Sequence, residues 1–216
     1  MNDYRSQSVR ENYNQIADEY AKNLFHELDG KPLDRELLDR FAAETQSRGR
    51  VCDIGCGPGQ VARYLKARGC DVFGLDLSPA MVQQAQQLNP EIHFREGNML
   101  ELALDDISLA GIAAFYAIVN LRAEWLAQVF REMARVLMPN GLLLLAFHTG
   151  DRVVQVNEMW GRAIAMKFFF FDPESIRRKL EAAGFVVEHV IERGPYAPEV
   201  EHQSHRAYIF ARKPCA

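Results

Sequence analysis

The 216-residue sequence has no long hydrophobic run and no excess of positive charge. Its longest near-apolar stretch, residues 109–119, is well short of the roughly 20 residues that cross a bilayer, so we expect no membrane span. Lys and Arg number 25 against 29 Asp and Glu, for a formal net charge of −4. Because phosphate backbones attract basic surfaces, this balance disfavours nucleic acid as a partner.

Cysteine is also scarce. The four cysteines form no CxxC pair and no zinc spacing; they are Cys52, Cys56, Cys70 and Cys215. The first twelve residues are polar and lack the apolar region of a secretory signal. We therefore expect reduced thiols and a cytoplasmic protein. The remaining composition, 48% hydrophobic and 25% charged, is typical of a globular chain and excludes a largely disordered one.

The apolar residues change their spacing near residue 50. They recur at helical spacing over 9–24 and again over 33–41 after Pro32, which predicts two amphipathic helices. From residue 50 onward, short apolar runs alternate with helical stretches, as in βα units that build a parallel sheet. We place strands at 50–54, 71–75, 92–95, 110–117, 141–147, 185–192 and 205–212, and helices from Ser78-Pro79 to Leu88, from 125 to about Pro139, and from Asp172-Pro173 to Gly184.

This order predicts an α/β fold: a doubly wound, seven-stranded, mostly parallel sheet with helices on both faces, an antiparallel last strand and an N-terminal helical cap. Ligands of such sheets lie beyond the carboxyl ends of the strands, near the first βα turn. One segment, 149–171, is an insertion that carries two methionines, a tryptophan and four phenylalanines. With the N-terminal helices it could form an apolar lid over a small ligand, and core packing explains the same residues equally well.

The first βα turn contains alternating glycines. Gly55, Gly57 and Gly59 follow the first predicted strand directly and precede a helix, where glycine permits a tight turn and close approach of a ligand. Asp76 ends the second predicted strand, 21 residues beyond Gly55, where a carboxylate can accept both hydroxyls of a ribose. Alternatively, the glycines could form an ordinary connecting turn, and Asp76 could be an ordinary surface acid.

Asp53, two residues before Gly55, helps to choose the nucleotide. A carboxylate beside a pyrophosphate is unfavourable, by about 1 to 4 kcal/mol per charge pair near a surface. The same carboxylate favours a cationic ligand, and S-adenosylmethionine carries a sulfonium and an ammonium against one carboxylate. The dinucleotide fingerprint G-x-G-x-x-G would place a third glycine at position 60, but this residue is Gln. A dinucleotide-dependent reductase remains the less favoured alternative.

Several motifs in order resemble a known family. The sequences DIGCGPG at 53–59 and GLDLSPAM at 74–81 are similar to the first two motifs of class I S-adenosylmethionine-dependent methyltransferases of the ubiquinone-biosynthesis-like group. The likeness continues in YNQIADEY at 13–20, EGNM at 96–99, AFYAIVNL at 114–121 and VLMPNGLLLL at 136–145. It implies one methyltransferase domain over 1–216, made of a helical cap (1–49), a cofactor-binding half (50–148), a lid-like insertion (149–171) and a C-terminal helix with a strand pair (172–216).

The resemblance also implies roles for individual residues. The loop of Gly55, Cys56, Gly57 and Gly59 would line the methionine and ribose part of the cofactor, and Asp53 would act near its ammonium. Asp76 would hold the ribose hydroxyls, while Leu77 and Met81 would pack on the adenine.

Asn98 and Met99 stand at the turn where the family usually has an acid that reaches the adenine amino group. An amide oxygen can still accept that hydrogen bond, more weakly than a carboxylate. Phe115 and Tyr116 would border the point of methyl transfer, and core packing is their alternative role. Ala110 stands where the family often begins this strand with an acid.

Tyr13 and Tyr20, at i and i+7 on one stripe of the first helix, would belong to the cap over the cofactor, although packing alone also explains such a stripe.

His148 is the candidate general base, because it ends the fifth predicted strand at the ligand rim and histidine titrates near neutrality. A hydrogen-bonded rim histidine is its structural alternative. A second candidate group lies in the loop before the last strand and contains Glu199, Glu201, His202 and His205. This spacing lacks further ligands, so we expect no metal.

The sequence thus predicts a methyltransferase that acts on a small-molecule acceptor. The uncharged Asn98 and Ala110 leave a second hypothesis open, an S-adenosylmethionine-binding sensor or scaffold without methyl transfer. The residues identify neither the acceptor, nor the atom methylated, nor the oligomeric state.

Overall fold

A seven-stranded sheet forms the centre of the fold in the computed structural model, which describes residues 3–215. Its strands are β1 (Arg50–Ile54), β2 (Asp71–Asp76), β3 (His93–Glu96), β4 (Leu109–Phe115), β5 (Leu137–His148), β8 (Val186–Arg193) and β9 (Arg206–Arg212). The spatial order is β3-β2-β1-β4-β5-β9-β8. β1 to β5 are parallel, and β9 runs antiparallel to both β5 and β8. The predicted fold class is confirmed.

The helices cover both faces of this sheet. They are α1 (Asp3–Leu24), α2 (Pro32–Thr45), α3 (Gln60–Ala67), α4 (Pro79–Leu88), α5 (Leu126–Val136) and α6 (Pro173–Ala182), with a short 3-10 turn at Glu27–Gly30. Alternate residues of each strand face opposite layers, as the two-residue period of a strand requires. In β5, Leu144 packs with α2, α3 and α4, whereas Leu145 packs with α5 and α6. The nearly continuous apolar sequence of β5 follows from burial on both faces.

Predicted helix starts are confirmed at α4 and α6. The Ser78 Oγ accepts a hydrogen bond from the Met81 backbone N–H, and the Asp172 carboxylate accepts one from the Ser175 N–H. Both helices then begin with proline, whose missing N–H costs nothing at this position.

Two predicted boundaries were wrong. The helix expected to run to about Pro139 ends at Val136, and β5 begins at once at Leu137, where the backbone is already extended. The strand expected to reach residue 117 ends at Phe115, because Tyr116 has a φ of +55°.

The insertion contains secondary structure that the sequence analysis did not predict. β6 (Val153–Met159) and β7 (Arg162–Phe169) form a two-stranded antiparallel hairpin outside the main sheet. The Asn12 side chain of α1 joins the hairpin through the Ala165 backbone, whose N–H lies 2.7 Å from Asn12 Oδ1. The helical cap and the insertion therefore form one cover over the carboxyl ends of the strands.

Within residues 3–215, no helix combines the length and apolar character needed to cross a bilayer.

Candidate functional site

A cavity of about 870 Å³, counted out to its open mouth, lies at the carboxyl ends of β1, β2 and β4 under α1. Its walls come from strand ends, from the loops that follow them and from the cap. They are formed by Val9, Tyr13, Tyr20, Ile54, Gly55, Gly57, Leu75, Asp76, Leu77, Met81, Gly97, Asn98, Met99, Leu102, Phe115, Tyr116, Ala117, Asn120, Leu121 and Trp125.

Two glycines of the first βα turn lie in the cavity wall. Gly55 has a φ of +70° and donates its N–H to the Leu75 carbonyl at 2.7 Å, which ties the loop to the end of β2. A Cβ on Gly55 would lie 2.7 Å from the Ala117 Cβ, too close for any side chain. Gly57 has a φ of +52°, and its Cβ would stand 3.6 Å from the Tyr20 ring. Glycine at these positions keeps the cavity open to the backbone.

Gly59 and Cys56 belong to the same loop but not to the cavity wall. A Cβ on Gly59 would lie 2.8 Å from both Asn89 Nδ2 and the Phe94 ring, so glycine here permits close packing of the loop on α4 and β3. Cys56 is 3% exposed and packs on the face of the sheet that carries α2 to α4. Burial raises the pKa of its thiol well above the usual value.

Asp76 ends β2 with its carboxylate in the cavity wall. Oδ2 accepts the Gly57 N–H at 2.9 Å and Oδ1 accepts the Ser78 N–H at 2.8 Å. Burial raises the pKa of this carboxyl, and the backbone N–H groups oppose that shift. A carboxylate has about four lone-pair positions, so Asp76 can still accept a hydrogen bond from a ligand.

Asp53 is buried beside the cavity but does not line it. Its Oδ2 accepts the Ala62 N–H of α3 at 3.0 Å. The alternation of β1 explains this direction, because Cys52 and Ile54 face α5 and the residue between them must face α3. Burial raises the pKa of Asp53 to about 7, and the nearby Asp76 charge adds to the shift.

Four predicted adenine-contact residues meet at the β2 end of the cavity: Leu77, Met81, Asn98 and Met99. Met81 also belongs to an apolar cluster with Ile16 of α1. Asn98 Oδ1 accepts the Leu100 N–H at 3.0 Å, which uses one of its two lone pairs.

Aromatic side chains close the cavity from the cap. Tyr13 donates a hydrogen bond to Asn120 Oδ1 at 2.7 Å, and its ring lies edge-on to Tyr20 at 6.0 Å. Tyr20 in turn meets Trp160, at the tip of the hairpin, at 5.7 Å. The tyrosine stripe of α1 thus bridges the cavity and the insertion.

The β4 end of the cavity contains residues that the sequence analysis missed: Ala117, Asn120, Leu121 and Trp125. All follow the carboxyl end of β4, and that position was the available signal, because ligands of doubly wound sheets lie beyond such ends. Val9, Ile54, Leu75, Gly97 and Leu102 were also missed, and their residue types carry no signal of their own.

His148 stands behind this wall. Its Nδ1 lies 2.8 Å from Ser204 Oγ, and its ring lies 5.2 Å from Phe170 in a stacked arrangement and 5.0 Å from Tyr116. Burial, followed by the charges of Arg206 and other neighbouring cations, lowers its pKa to about 3. The ring is neutral at physiological pH and is a weak base in this arrangement.

The second candidate group is dispersed. Glu201 is buried and pairs with Arg193 and Arg206, whereas His202 and His205 are exposed. Over the described part of the chain, no three His, Cys, Asp or Glu side chains come together to hold a metal ion.

Comparisons with known proteins agree with this geometry. A family described as a methyltransferase domain matches residues 51–141, which run from β1 into β5. The malonyl-[acyl-carrier protein] O-methyltransferase of Enterobacter lignolyticus is 29% identical over 157 residues, 70% of this chain and 60% of that protein. Residues 51–141 are therefore similar to a methyltransferase domain, in agreement with the family resemblance of the sequence motifs.

Solved structures show the same methyltransferase fold over nearly the whole chain. The DhpI–SAH complex has a TM-score of 0.74 at 19% identity and covers 97% of each chain. The [4+2]-cyclase SpnF has a TM-score of 0.72 at 20% identity and covers 98% of this chain and 97% of its own. The chain spans about half to 60% of the length of the malonyl-[acyl-carrier protein] O-methyltransferases that it matches.

The cavity brings together eleven of the predicted site residues: Tyr13, Tyr20, Gly55, Gly57, Asp76, Leu77, Met81, Asn98, Met99, Phe115 and Tyr116. Four others, Asp53, Cys56, Gly59 and His148, lie outside its wall. The individual roles given to all of these residues stay predictions.

Proposed function

We propose that the chain binds S-adenosylmethionine in this cavity and transfers its methyl group to a small-molecule acceptor by in-line displacement, releasing S-adenosylhomocysteine. The observation that carries the proposal is the Asp76 carboxylate, buried in the cavity wall beside Gly57 with unused acceptor positions. A carboxylate at the end of the second strand is suited to the two hydroxyls of a ribose.

The order of the strands sets the orientation of the cofactor. β2 and β4 lie on opposite sides of β1. Asp76, Leu77 and Asn98 would therefore hold the adenosine over β2, and Gly55 and Gly57 would accommodate the methionine part over β1. The reacting methyl group would then face Phe115 and Tyr116 at the end of β4.

The charges of the site favour a cationic cofactor. The nearby Asp76 charge disfavours ionisation of the buried Asp53. A bound sulfonium and ammonium would offset that repulsion, whereas a pyrophosphate would increase it.

S-adenosylmethionine supplies the activated methyl group, so the protein needs no covalent nucleophile. The chain's own residues bind, orient and exclude water. Tyr13, Tyr20, Phe115 and Trp125 surround the cavity with aromatic surface, and Asn120 holds Tyr13 in place. Positioning of this kind can lower such a barrier by about 7 to 11 kcal/mol.

A second candidate function is binding of the cofactor without methyl transfer, as a sensor or scaffold. It is favoured by the weak basicity of His148, the residue predicted to act as base. Calorimetry does not distinguish the two candidates, because both bind the cofactor. Measuring the S-adenosylhomocysteine formed with a panel of acceptors distinguishes them, because only a methyltransferase produces it.

We also infer a cytoplasmic site of action. Cys52, Cys56, Cys70 and Cys215 are all free thiols, as in a reducing compartment.

The cofactor assignment is tested by isothermal titration calorimetry with S-adenosylmethionine and S-adenosylhomocysteine. Asp76→Asn keeps the size of the side chain but removes its charge, and it should weaken both affinities by about 10- to 100-fold, the worth of charge-assisted hydrogen bonds. Asp71→Asn, at the exposed start of the same strand, is the control and should bind as the wild type does. No heat with either ligand, together with tight binding of NADH, would favour a reductase instead.

A further inference from the structure

Tyr116 connects the cavity to polar groups buried beneath it. Its Oη lies 3.5 Å from the Tyr208 Oη, and Tyr208 donates a hydrogen bond to Asp34 Oδ2 at 2.9 Å. The two tyrosines and the aspartate thus form a continuous line from the cavity wall to a carboxylate of α2. Tyr116 has a φ of +55°, an uncommon conformation for a residue with a bulky side chain. Backbone strain of this kind is concentrated at functional sites.

Asp34 is an unusual end to this line. The residue is 1% exposed, yet it is a carboxylate in a helix that faces the apolar sheet. Oδ2 also accepts a hydrogen bond from Arg193 Nη2 at 3.0 Å, whereas Oδ1 has no partner among the described residues. A buried oxygen without a partner costs about 1 to 3 kcal/mol, and a native structure that keeps one needs an explanation.

Charges around the line balance one another. Arg193 and Glu201 come from β8 and the loop after it, Arg206 from β9, and Lys31 and Glu27 from the segment before α2. Lys31 and Arg206 lie 5.6 and 5.8 Å from the centre of the Tyr116 ring, and the neutral His148 lies on the same ring. With Asp34 ionised, three cations face three carboxylates, so this cluster adds no net positive charge that would attract an anionic acceptor.

The cavity wall leads to the same conclusion about charge. Among the described residues that line it, none is Lys, Arg or His, and Asp76 is the carboxylate. Around the β4 end the wall consists of aromatic rings, small apolar residues and the Asn120 amide. Such a surface suits an uncharged acceptor that keeps its proton until the methyl group arrives.

We propose that the acceptor is a neutral hydroxyl or amine compound and that its proton leaves through Tyr116 and Tyr208 to Asp34, an inference that rests on the proposed methyl transfer. The acceptor oxygen or nitrogen forms a bond to the methyl carbon while the carbon–sulfur bond breaks and its electron pair stays on sulfur. The acceptor proton moves to Tyr116 Oη, the Tyr116 proton to Tyr208 Oη, and the Tyr208 proton to Asp34 Oδ2.

Each step of this transfer has a structural basis. The Tyr208 hydroxyl already points its proton at Asp34, so the last transfer needs no rotation. Burial raises the pKa of the Asp34 carboxyl above its ordinary value, which makes it a better proton acceptor than an exposed aspartate. The 3.5 Å between the tyrosine oxygens is longer than a typical O–H···O bond of about 2.7–2.8 Å, and such contacts tighten when a substrate binds.

The test measures S-adenosylhomocysteine formation with phenol, alcohol, amine and carboxylate acceptors by wild type, Tyr208→Phe and Asp34→Asn. Tyr64→Phe is the control, because it removes a hydroxyl that is bonded to Asp39 on the surface. We expect wild type to prefer phenols, alcohols or amines. Both relay variants should lose about 100-fold or more in kcat, the usual worth of a positioned base, with KM little changed. Raising the pH should restore their rate with phenols, which ionise without help, whereas a merely distorted site would not recover.

A second readout does not depend on activity. Carbon-13 NMR of the Asp34 carboxyl, identified by its loss in Asp34→Asn, should show the ionised form at the pH of maximal rate. An already protonated Asp34 would overturn the relay, and so would wild-type rates in Tyr208→Phe or methylation of carboxylates alone. If wild type binds S-adenosylmethionine but methylates nothing, the proposed function itself fails, and the relay fails with it.

Discussion

Asp53 and Asp76 are two buried carboxylates at the ends of neighbouring strands, held by backbone N–H groups from different elements. Within the described residues, both carboxylates accept hydrogen bonds from backbone N–H groups and not from cationic side chains, so in the free protein both are kept at an electrostatic cost. A cationic ligand removes part of that cost. The electrostatic cost of these two carboxylates should therefore add to the binding free energy of a cationic ligand and not to that of an anionic one.

Substitution of Asp53 should reveal that cost as a dependence of stability on pH. The folded chain keeps the Asp53 proton up to about pH 7, whereas the unfolded chain releases it near 3.8, so rising pH between these values destabilises the wild type. Asp53→Asn should remove this loss, because an amide oxygen can still accept the Ala62 N–H. Between pH 4.5 and 8, urea unfolding should show the variant gaining roughly 2 to 4 kcal/mol relative to wild type. Equal pH profiles for the two proteins would contradict the buried, repelled carboxylate, and Asp71→Asn is the exposed control.

His148 should show the opposite dependence. The unfolded chain protonates this residue below about pH 6.5, whereas the folded chain resists protonation down to about pH 3, so stability falls as pH drops through this interval. At pH 5 the wild type should have lost roughly 2 kcal/mol that His148→Gln keeps. His26→Gln is the matched control, since the His26 side chain is 70% exposed. A His148→Gln protein that loses stability in acid as steeply as wild type does would show that the ring is accessible to protons.

The sequence identified site residues whose type and position are both characteristic of a binding site. It missed residues that belong to the site only because the fold places them there. An aspartate at the end of the second strand and glycines in the turn before it are informative from type and spacing. The side chain of Asp53 points to one face of the sheet, and which face depends on which residues of β1 face α5. Both faces of β1 are buried, so the sequence does not show which of them Asp53 faces. Asn120 became visible only when the chain after β4 was seen to turn back over the cavity.

Among the elements, the turn between β1 and α3 has the strictest backbone requirements. Gly57 combines a positive φ with a position opposite Tyr20, so a side chain there would meet both strain and a narrowed cavity. Gly184, at the end of α6, has a φ of +94° and open space around it. Comparing substitutions at Gly57 and Gly184 therefore distinguishes the cost of backbone strain, which both share, from the cost of placing a side chain in the cavity, which only Gly57 has.

Gly57→Ala and Gly184→Ala should each lose about 1 to 2 kcal/mol of unfolding free energy, because both force a residue with a Cβ into left-handed backbone. Only Gly57→Ala should also weaken the binding of S-adenosylhomocysteine, by about tenfold or more, since its methyl group enters the cavity. Chemical denaturation and calorimetry on the two variants measure these effects. Equal affinities would mean that the ligand does not approach this turn.

The hairpin of β6 and β7 is the element that the sequence did not reveal. In β7, the buried Ile164 and Met166 alternate with exposed neighbours and pack with α1, whereas much of β6 is exposed. The alternating apolar residues Ile164, Met166 and Phe168 were the available signal for a strand, whereas the composition of the segment indicated a cover without indicating its structure.

At the scale of the molecule, the cap and the insertion share contacts with the sheet that they cover. Met81 of α4 packs with Ile16 of α1 and Met166 of β7 in one apolar cluster. Elements joined through a common core unfold together.

We therefore expect differential scanning calorimetry to record a single transition, with equal calorimetric and van't Hoff enthalpies. S-adenosylhomocysteine at 100 times its dissociation constant should stabilise the protein by about 2.7 kcal/mol without splitting the transition. A separate, earlier transition that includes α1 and the hairpin would contradict the prediction of one domain over 1–216.

The position of β9 has a consequence for synthesis. This strand is made after all the others, yet it lies between β5 and the edge strand β8 in the sheet. On the ribosome, the long apolar strand β5 must wait with one unpaired edge until residues 206–212 emerge, which is the kind of distant pairing that slows folding and invites aggregation. Slow translation or scarce chaperones should therefore lower the yield of this protein more than its final stability would suggest.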